Sequence, residues 1–309
     1  MKRKDKAAKT PDFLIEQLPS TRRKQFFDIV KNEWRTLLAL GAALFVFFLP
    51  FIISNICEAG FMNGTAEAIR QEMGSEGKTA EEIASRVQNQ MTSIHLLFNG
   101  INILCFMLFS LGLAGASRII KCFGFGEGVL FKSDFFAGIK KYWKAFLLCG
   151  FFAGLFYFLI SYVYAVLNPA GQESAGINIL SGVTIGFYYA IIVPLLLFSL
   201  AQATLYELPF FKNLANSLRF TIVRYHFTAI FALVIYGVSL LTMIVYPVTM
   251  ILSFAAFIVL LAPFFALAFH LFALSLFDRY INEDHYPSIY KKGLYIKEGK
   301  GANEKDSIA

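Results

Sequence analysis

Six long apolar runs separated by polar loops constrain this chain more than any other feature of its sequence. A helix rises about 1.5 Å per residue, so about 20 apolar residues cross the roughly 30 Å hydrocarbon core of a bilayer. The runs are 34–53, 94–115, 145–167, 177–203, 228–246 and 251–277. We therefore predict an all-α membrane protein with about six transmembrane helices arranged as three hairpins.

The composition favours the same class. Hydrophobic residues make up 57% of the 309 residues and charged residues only 16%, with a mean hydropathy of +0.59. A soluble core of ordinary size cannot bury so much apolar surface, whereas lipid-facing helices can expose it. Many basic residues flank the apolar runs, so the net charge of +7 predicts a bilayer with anionic headgroups as partner, and no nucleic acid. These flanking residues are Arg22, Arg23, Lys24, Lys140, Lys141, Lys144 and Arg224.

The distribution of basic residues among the loops predicts an orientation. Of the 28 Lys and Arg residues, only Arg70, Lys78 and Arg86 fall in the loops after the first, third and fifth runs, which leaves 25 on the side of the N-terminus. Short loops rich in Lys and Arg face the cytoplasm. We therefore predict that both termini are cytoplasmic. The predicted parts are a basic segment 1–33 with an interfacial helix, a transmembrane domain 34–277 and a cytoplasmic tail 278–309.

The longest loop, 54–93, is predicted to be an extracellular helical insertion within the transmembrane domain. Thr65 is expected to begin one short helix. Thr79 and Glu82 have the spacing of a capping box, which predicts a second helix that runs into the membrane at Ile94. The first apolar run follows a long charged segment and lacks a small-residue cleavage site, so we expect a retained helix and not a signal peptide.

A motif of aromatic and basic residues recurs around the start of three predicted spans. Its copies are Phe26-Phe27-x-x-Val30-Lys31-x-x-Trp34-Arg35, Phe135-Phe136-x-x-Ile139-Lys140-x-x-Trp143-Lys144 and the weaker Phe220-x-x-Val223-Arg224-x-x-Phe227. The spacing of three and four residues predicts short amphipathic helices at the cytoplasmic interface. The predicted membrane-interface anchors are Trp34, Arg35, Trp143, Lys144 and Phe227. Internal duplication and independent use of similar anchors both remain open.

Small residues and prolines predict how the helices pack and bend. The pairs Gly150 with Gly154 and Gly182 with Gly186 have the small-xxx-small spacing that lets helix backbones approach closely. A proline removes a backbone donor and is expected to bend its helix. The prolines within the runs are Pro50, Pro194 and Pro263.

A few polar side chains inside the runs are the candidates for chemistry. His270 is the ionisable group that we place well inside a span, and such groups are costly to bury in lipid. It is either a structural histidine bonded to a neighbouring helix or a proton relay or ligand group. Gln202, Asn99 and Asn102 are its expected partners, or they line a polar cavity with it, or they join helices by hydrogen bonds.

Other motifs do not indicate catalysis. The glycine-rich segment 124–128 follows no predicted strand and lacks the Lys-Ser/Thr of a phosphate-binding loop. Glu283, Asp284 and His285 are neighbours in sequence and are expected to form a solvated turn. Cys57, Cys105, Cys122 and Cys149 lack the spacing of metal ligands and are expected to pack or contact lipid. We therefore expect no enzyme activity, no cofactor and no metal.

Three segments of the chain resemble the YesL-like family of bacterial membrane proteins. They are Gly112-Leu113-Ala114-Gly115-Ala116-Ser117-Arg118, then Phe131-Lys132-Ser133-Asp134-Phe135-Phe136-Ala137-Gly138-Ile139-Lys140-Lys141-Tyr142-Trp143-Lys144, and Phe277-Asp278-Arg279-Tyr280-Ile281-Asn282 with Tyr286-Pro287 and Lys291-Lys292-Gly293-Leu294. The resemblance extends over most of the chain, although the insertion 54–93 departs from the short connection typical of the family. It implies a Gram-positive plasma-membrane protein associated with carbohydrate ABC-transport systems, and it transfers no functional residue.

Two functions follow as expectations. The first is a non-enzymatic membrane accessory protein whose basic, aromatic cytoplasmic elements dock a transporter or a signalling partner; the resemblance implies subunits of an ABC transporter. The second is a small-molecule permease with a polar cavity near His270, Gln202, Asn99 and Asn102. A continuous polar cavity open to one side would favour the permease, and a closely packed bundle would favour the accessory protein.

Overall fold

The computed structural model describes residues 18–75, 77–167, 175–206, 208–244 and 246–295. Every regular element in these ranges is a helix, in agreement with the predicted all-α membrane protein. The first hairpin consists of α1 (Arg22–Ser75) and α2 (Ala80–Gly124). The second consists of α3 (Phe131–Leu167), α4 (Ala175–Phe187) and α5 (Val193–Leu205), with a π-helical segment Tyr188–Ile192 between α4 and α5.

The third part of the chain is more broken. It contains α6 (Phe210–Val223), α7 (Tyr225–Ser239) with a 3₁₀ turn Leu240–Met243, α8 (Pro247–Ala256) and α9 (Ala262–Phe277). A π-helical segment Phe257–Leu261 joins α8 to α9, and another, Asp278–Asn282, precedes the last helical turn α10 (Glu283–His285).

The predicted insertion 54–93 is formed by the extended ends of α1 and α2. At 54 and 45 residues these helices are about 80 and 70 Å long, so both project well beyond a hydrocarbon core of about 30 Å. A small apolar cluster of Ala66, Ile69, Met73 and Val87 holds the projecting ends together. The separate short helix expected at Thr65 is wrong, because the helical hydrogen bonds of α1 continue through it.

The predicted capping box at the start of α2 is confirmed. The Glu82 backbone N–H donates to Thr79 Oγ1 at 3.3 Å, and the Thr79 N–H donates to Glu82 Oε2 at 3.0 Å. These two bonds satisfy donors that the first turn of a helix otherwise leaves free.

Two of the π-helical segments end two residues before a proline. Pro194 and Pro263 have no N–H, so each leaves a carbonyl one turn earlier without its helical donor. The N–H groups of Val193 and Ala262, one residue before each proline, bond five residues back to Tyr188 and Phe257. The wider π turn absorbs the disturbance. At Pro50 the helix continues, and the one non-helical residue inside α1 is Glu33.

The described helices provide five or six candidate membrane crossings. Five helical segments are long and apolar enough to span, and α6 and α7 qualify together as a sixth although they meet at 103°. At the two ends of the described chain, the Tyr295 N–H donates to the Pro19 carbonyl at 3.1 Å. Both ends therefore lie at the same end of the bundle, which we call the basic end. Helix α7 with its 3₁₀ turn covers residues 225–243, so it is as long as the predicted run 228–246 and begins and ends three residues earlier.

The core lies along the contact of α1 with α9. Leu37, Leu40 and Leu44 of α1 are almost fully buried and share one cluster with Leu267 and Leu271 of α9. Burial of residues three and four apart is the pattern of one helix face. This seam runs towards the basic end and fixes the elements that form the sites below.

The two glycine motifs have different surroundings. A Cβ atom added at Gly150 would lie 2.8 Å from the Phe106 carbonyl oxygen, and one at Gly154 would lie 2.7 Å from Ile103 Cα, so α3 packs closely on α2 there. At Gly182 and Gly186 no atom of the described residues lies within 4 Å of the added Cβ. The predicted close packing is therefore confirmed for the first motif, and the described residues show none at the second.

The three copies of the aromatic and basic motif have three different structures. The first copy contains the break at Glu33, so its N-terminal part forms a distinct segment before the span. The second copy begins α3 and continues into the span without a break. The third crosses the 103° bend at Arg224. The expected separate interfacial helix is thus wrong for the second copy, which is part of a continuous helix.

Candidate functional site

A cavity of about 280 Å³ lies inside the bundle, between α1, α2, α5 and the segments around α9. Aromatic and aliphatic side chains form most of its wall, among them Phe48, Phe51, Phe106 and Phe254. The polar side chains at its surface are Ser117, Ser239, His270, Tyr157, Tyr188 and Tyr189. Such a wall suits an apolar or aromatic molecule better than a sugar or an ion.

His270 lies on the wall of this cavity, towards the basic end. It is buried, and its Nε2 atom has no hydrogen-bond partner among the described residues. Seven residues, or about 10 Å of helix, separate it from Phe277 at the end of α9. His270 therefore lies nearer to the basic end of its span than the sequence predicted. The structure leaves the choice between a structural and a proton-carrying histidine untested.

The three amides predicted to accompany His270 do not line the cavity. Asn99 Nδ2 donates to the His95 carbonyl at 2.8 Å, one helical turn away. Gln202 Nε2 donates to Ser217 Oγ at 2.7 Å and so joins α5 to α6. Asn102 is completely buried, and neither atom of its amide has a partner in the described part of the chain. The predicted grouping of these side chains around one polar cavity stays untested, and the structure gives the amides separate surroundings.

A pair of ionisable groups, Glu58 and His95, lies between the projecting parts of α1 and α2. The buried carboxylate of Glu58 forms a hydrogen bond with His95 Nδ1, and Asn99 Nδ2 lies 3.1 Å from His95 Nε2. The sequence interpretation placed Glu58 in a loop and gave it no role. The signal in the sequence was the absence of proline between Ile53 and Ser75, which is compatible with a helix that continues through Glu58.

The densest polar arrangement is at the basic end, where distant parts of the chain meet. Arg22 Nη2 donates to Asp278 Oδ2 at 2.8 Å, and the two side chains are only 8% and 7% exposed. Arg22 Nη1 also donates to the Gly124 carbonyl at 2.8 Å and to the Lys292 carbonyl at 3.0 Å. Arg22 thus joins the start of α1 to the ends of α2 and α9 and to the chain beyond.

Gln25 strengthens the same junction from the next turn of α1. It accepts from Arg22 Nη1 at 2.9 Å, and its Nε2 donates to the carbonyls of Gly124 at 3.0 Å and Gly293 at 3.3 Å. Gly293 has a positive φ of 82°, and a Cβ atom there would lie 2.5 Å from the Gly124 oxygen. The glycines therefore permit a close crossing of two backbone turns. The glycine-rich segment 124–128 supplies Gly124 to this crossing.

Asp278 is satisfied on both oxygens. Its Oδ1 accepts from Asn282 Nδ2 at 2.8 Å and from the Lys291 backbone N–H at 3.1 Å. Asn282 in turn accepts from the hydroxyl of Tyr206, at the end of α5. Burial, and next the nearby Asp278 carboxylate, raise the pKa of Tyr206 above its usual value. We call Arg22, Gln25, Gly124, Asp278 and Asn282 the end cluster.

The end cluster was missed by the sequence analysis, which counted Arg22 among the residues that attract headgroups. That interpretation is wrong for Arg22, because its guanidinium is buried against Asp278 and two carbonyls. A sequence signal was present in Asp278, an acid placed directly after the last apolar run. Such an acid requires either water or a buried cation.

The predicted membrane-interface anchors are exposed aromatic side chains beside cations. Trp34, Trp143 and Phe227 are about half exposed, at 47%, 45% and 52%. The guanidinium of Arg35 lies 5.4 Å from the Trp34 ring, and the Lys144 ammonium lies 5.6 Å from the Trp143 ring. This arrangement suits the headgroup region, where an aromatic ring contacts both lipid and water. Their role as anchors stays a prediction.

Comparison of the chain with family models, with curated proteins and with solved structures finds no match. The multi-pass membrane class therefore rests on the helices themselves.

Proposed function

We propose that the protein is a non-enzymatic integral membrane accessory protein whose basic end docks a partner in the membrane. The observation that carries this proposal is the contrast between the mainly apolar interior of the spans and the dense polar contacts at the basic end. Within the spans, the cavity wall is mainly apolar, and the amides expected to make it polar lie elsewhere. At the basic end, the end cluster fixes the ends of α1, α2 and α9 against one another.

A fixed end with exposed cations is suited to docking. Lys24, Lys31, Lys140 and Lys212 are exposed, whereas Arg22 is buried and joins α1, which carries Lys24 and Lys31, to the end of α2 and to Asp278 after α9. Binding a partner to an ordered surface costs little conformational entropy. Exposed cations favour an acidic partner surface and accelerate its association. The resemblance to the YesL-like family makes subunits of a carbohydrate ABC transporter, in a plasma membrane, the partners that we propose.

Quantitative co-purification tests this function. The full chain is tagged, crosslinked in its native membrane and purified, and the transporter subunits recovered with it are measured. We expect Lys24→Glu with Lys31→Glu to reduce their recovery strongly. The matched control is Arg70→Glu with Lys78→Glu, which reverses two exposed charges at the far end of the bundle.

The outcomes separate the parts of the proposal. Equal recovery with both double variants would contradict docking at the basic end. Recovery of a different membrane protein, lost with the first pair alone, would support docking and contradict the transporter as partner.

A proton-coupled permease is the second candidate, because His270 lies on the wall of the cavity and its Nε2 atom has no hydrogen-bond partner among the described residues. Protein reconstituted in vesicles with a trapped pH dye would report proton entry under an imposed pH gradient. If His270 carries protons, His270→Gln and His270→Leu both abolish that entry. Proton entry equal to that of empty vesicles would contradict this candidate.

A further inference from the structure

A second recess, of about 420 Å³, opens at the basic end between α2, α3, α5 and α6. Three lysines line it: Lys121 from α2, and Lys141 and Lys144 from α3. The remaining wall includes apolar side chains, among them Leu148 and Phe210. We call it the lysine pocket. It is separate from the apolar cavity and from the end cluster, although Tyr206 lies on its wall.

Lys121 is held in place by the end of α5. Its ammonium donates to the Thr204 carbonyl at 2.7 Å, and the hydroxyl of Tyr142 donates to the same oxygen at 3.2 Å. An ammonium has three N–H donors, so two remain for a ligand. Capping of the last carbonyls of α5 would explain Lys121 alone. It does not explain why Lys141 and Lys144 line the same recess.

The charge of the pocket is strongly positive. Among the described residues that line it there is no carboxylate. Glu207 is outside the described residues, and if its charge is counted, the three lysines still leave an excess of two positive charges. Lys121 is close enough to Lys141 and Arg118 for repulsion between them. The nearby carboxylate of Glu127 lies 2.8 Å from the Lys292 ammonium, which it pairs with.

The position of the pocket selects the kind of anion. Lys144 directly precedes Ala145, where the apolar run of α3 begins, and Leu148 lies one turn further into that run. A ligand here meets cations at one end and an apolar wall at the other. Basic pockets between transmembrane helices are typical sites for anionic lipid headgroups.

We propose that the lysine pocket binds the phosphate headgroup of an anionic phospholipid, whose acyl chains lie against Leu148 and Phe210. The inference does not depend on the accessory function. It differs from general attraction of the basic end to an anionic surface, because it requires these three lysines and no others.

Native mass spectrometry of the purified full chain tests the proposal. After delipidation in neutral detergent, the protein receives phosphatidylglycerol or phosphatidylcholine, and retained lipid is counted. A detergent micelle has no anionic surface, so only a defined site retains the lipid. We expect one phosphatidylglycerol to be preferred. Lys141→Gln and Lys144→Gln should each weaken its binding about fivefold, which corresponds to about 1 kcal/mol per lysine.

Lys140→Gln is the matched control, because Lys140 is exposed on the same helix and does not line the pocket. We expect no change in lipid binding in this variant. Lys121→Gln should also weaken binding, but it removes the bond to Thr204, so its folding is checked by thermal unfolding. Lys141→Gln and Lys144→Gln leave that bond in place and test the site even if the Lys121 variant unfolds.

Three results would overturn the proposal. Equal retention of the two lipids would show that charge does not select the ligand. An equal loss in the Lys140 and Lys141 variants would show diffuse attraction. Competition with inorganic phosphate provides the third: if phosphate binds in the pocket and phosphatidylglycerol shows no preference, the pocket takes a soluble anion and not a lipid.

Discussion

Replacement of Asp278 by Asn tests the end cluster most directly. The substitution keeps the size of the side chain and removes its charge, so Arg22 is left buried without a counter-ion. Removing one partner of a buried ion pair costs about 3–5 kcal/mol. The geometry adds to this cost. Three donors converge on the carboxylate, from Arg22, Asn282 and the Lys291 backbone, and an amide offers them one oxygen instead of two.

The exposed ion pair between Lys292 and Glu127 is a matched control. Its N–O distance is also 2.8 Å, but both of its side chains are 41% exposed, against 8% and 7% for Arg22 and Asp278. Exposed pairs contribute about 0–1 kcal/mol. We therefore expect Glu127→Gln to leave stability within about 1 kcal/mol of the wild type.

A double-mutant cycle separates the pairing energy from other losses. Arg22→Met removes the cation and keeps an apolar stem of similar length. Once one charge is gone, the loss of the second removes an unpaired buried charge, so the double variant should lose less than the sum of the single variants. We expect a coupling energy of about 2 kcal/mol, within the usual range for residues in contact.

Unfolding is measured with a thiol-reactive fluorescent dye during titration with sodium dodecyl sulfate. Cys105, Cys122 and Cys149 are buried and become reactive as the helices separate, whereas Cys57 is exposed and is first replaced by Ser. The reasoning is refuted if Asp278→Asn costs less than about 1 kcal/mol, or if the two single effects add within about 0.5 kcal/mol.

Three further perturbations give separate expectations. In a background without the exposed native cysteine, Lys78→Cys should react with an impermeant reagent on intact cells and Asp284→Cys should not; the reverse pattern would invert the topology. Gly154→Ala should cost about 1–3 kcal/mol, because its Cβ would lie 2.7 Å from α2, whereas Gly186→Ala should cost nothing; equal effects in detergent unfolding would contradict the packing. The raised pKa of Tyr206 keeps its phenol protonated in the folded state, so its stabilising effect is full below about pH 10 and declines above it. Tyr206→Phe should therefore lose less stability than the wild type above about pH 10, and parallel pH profiles would contradict this.

The membrane class was predictable because hydropathy is summed over about 20 residues and tolerates local errors. The predictions that were wrong concern the ends of helices, which depend on a few backbone hydrogen bonds. The run 228–246 was apolar enough for a span, but the bend at Arg224 makes α7 begin three residues earlier, and the α-helix gives way to a 3₁₀ turn after Ser239. The loop 54–93 was polar enough for a separate insertion, yet its residues continue α1 and α2. Polarity alone does not end a helix, and residues 54–93 contain no proline that would stop one.

The candidate polar residues were found by composition, but their grouping was not predictable. A sequence shows that Gln202 and His270 lie in apolar runs, and it does not show which face of each helix they occupy in the assembled bundle. Gln202 found its partner Ser217 on the next helix, 15 residues away. Arg22 and Asp278 are 256 residues apart, and no local pattern connects them. A charge count treats both as members of a basic or acidic total, so it misses the pair.

The end cluster and the lysine pocket both contact the end of α5. The effects of substitutions in the two sites on the free energy of unfolding are therefore not independent. The Thr204 carbonyl accepts from Lys121, and two residues later the Tyr206 hydroxyl donates to Asn282 of the end cluster. A ligand that draws Lys121 away from Thr204 would therefore disturb the same helix end that supports Asn282. Effects of substitutions at sites that share a backbone segment are not additive. A lipid that binds only the folded protein also raises its apparent stability by mass action. The cycle at Arg22 and Asp278 consequently reports the ion pair only when the lipid content of the micelles is held constant.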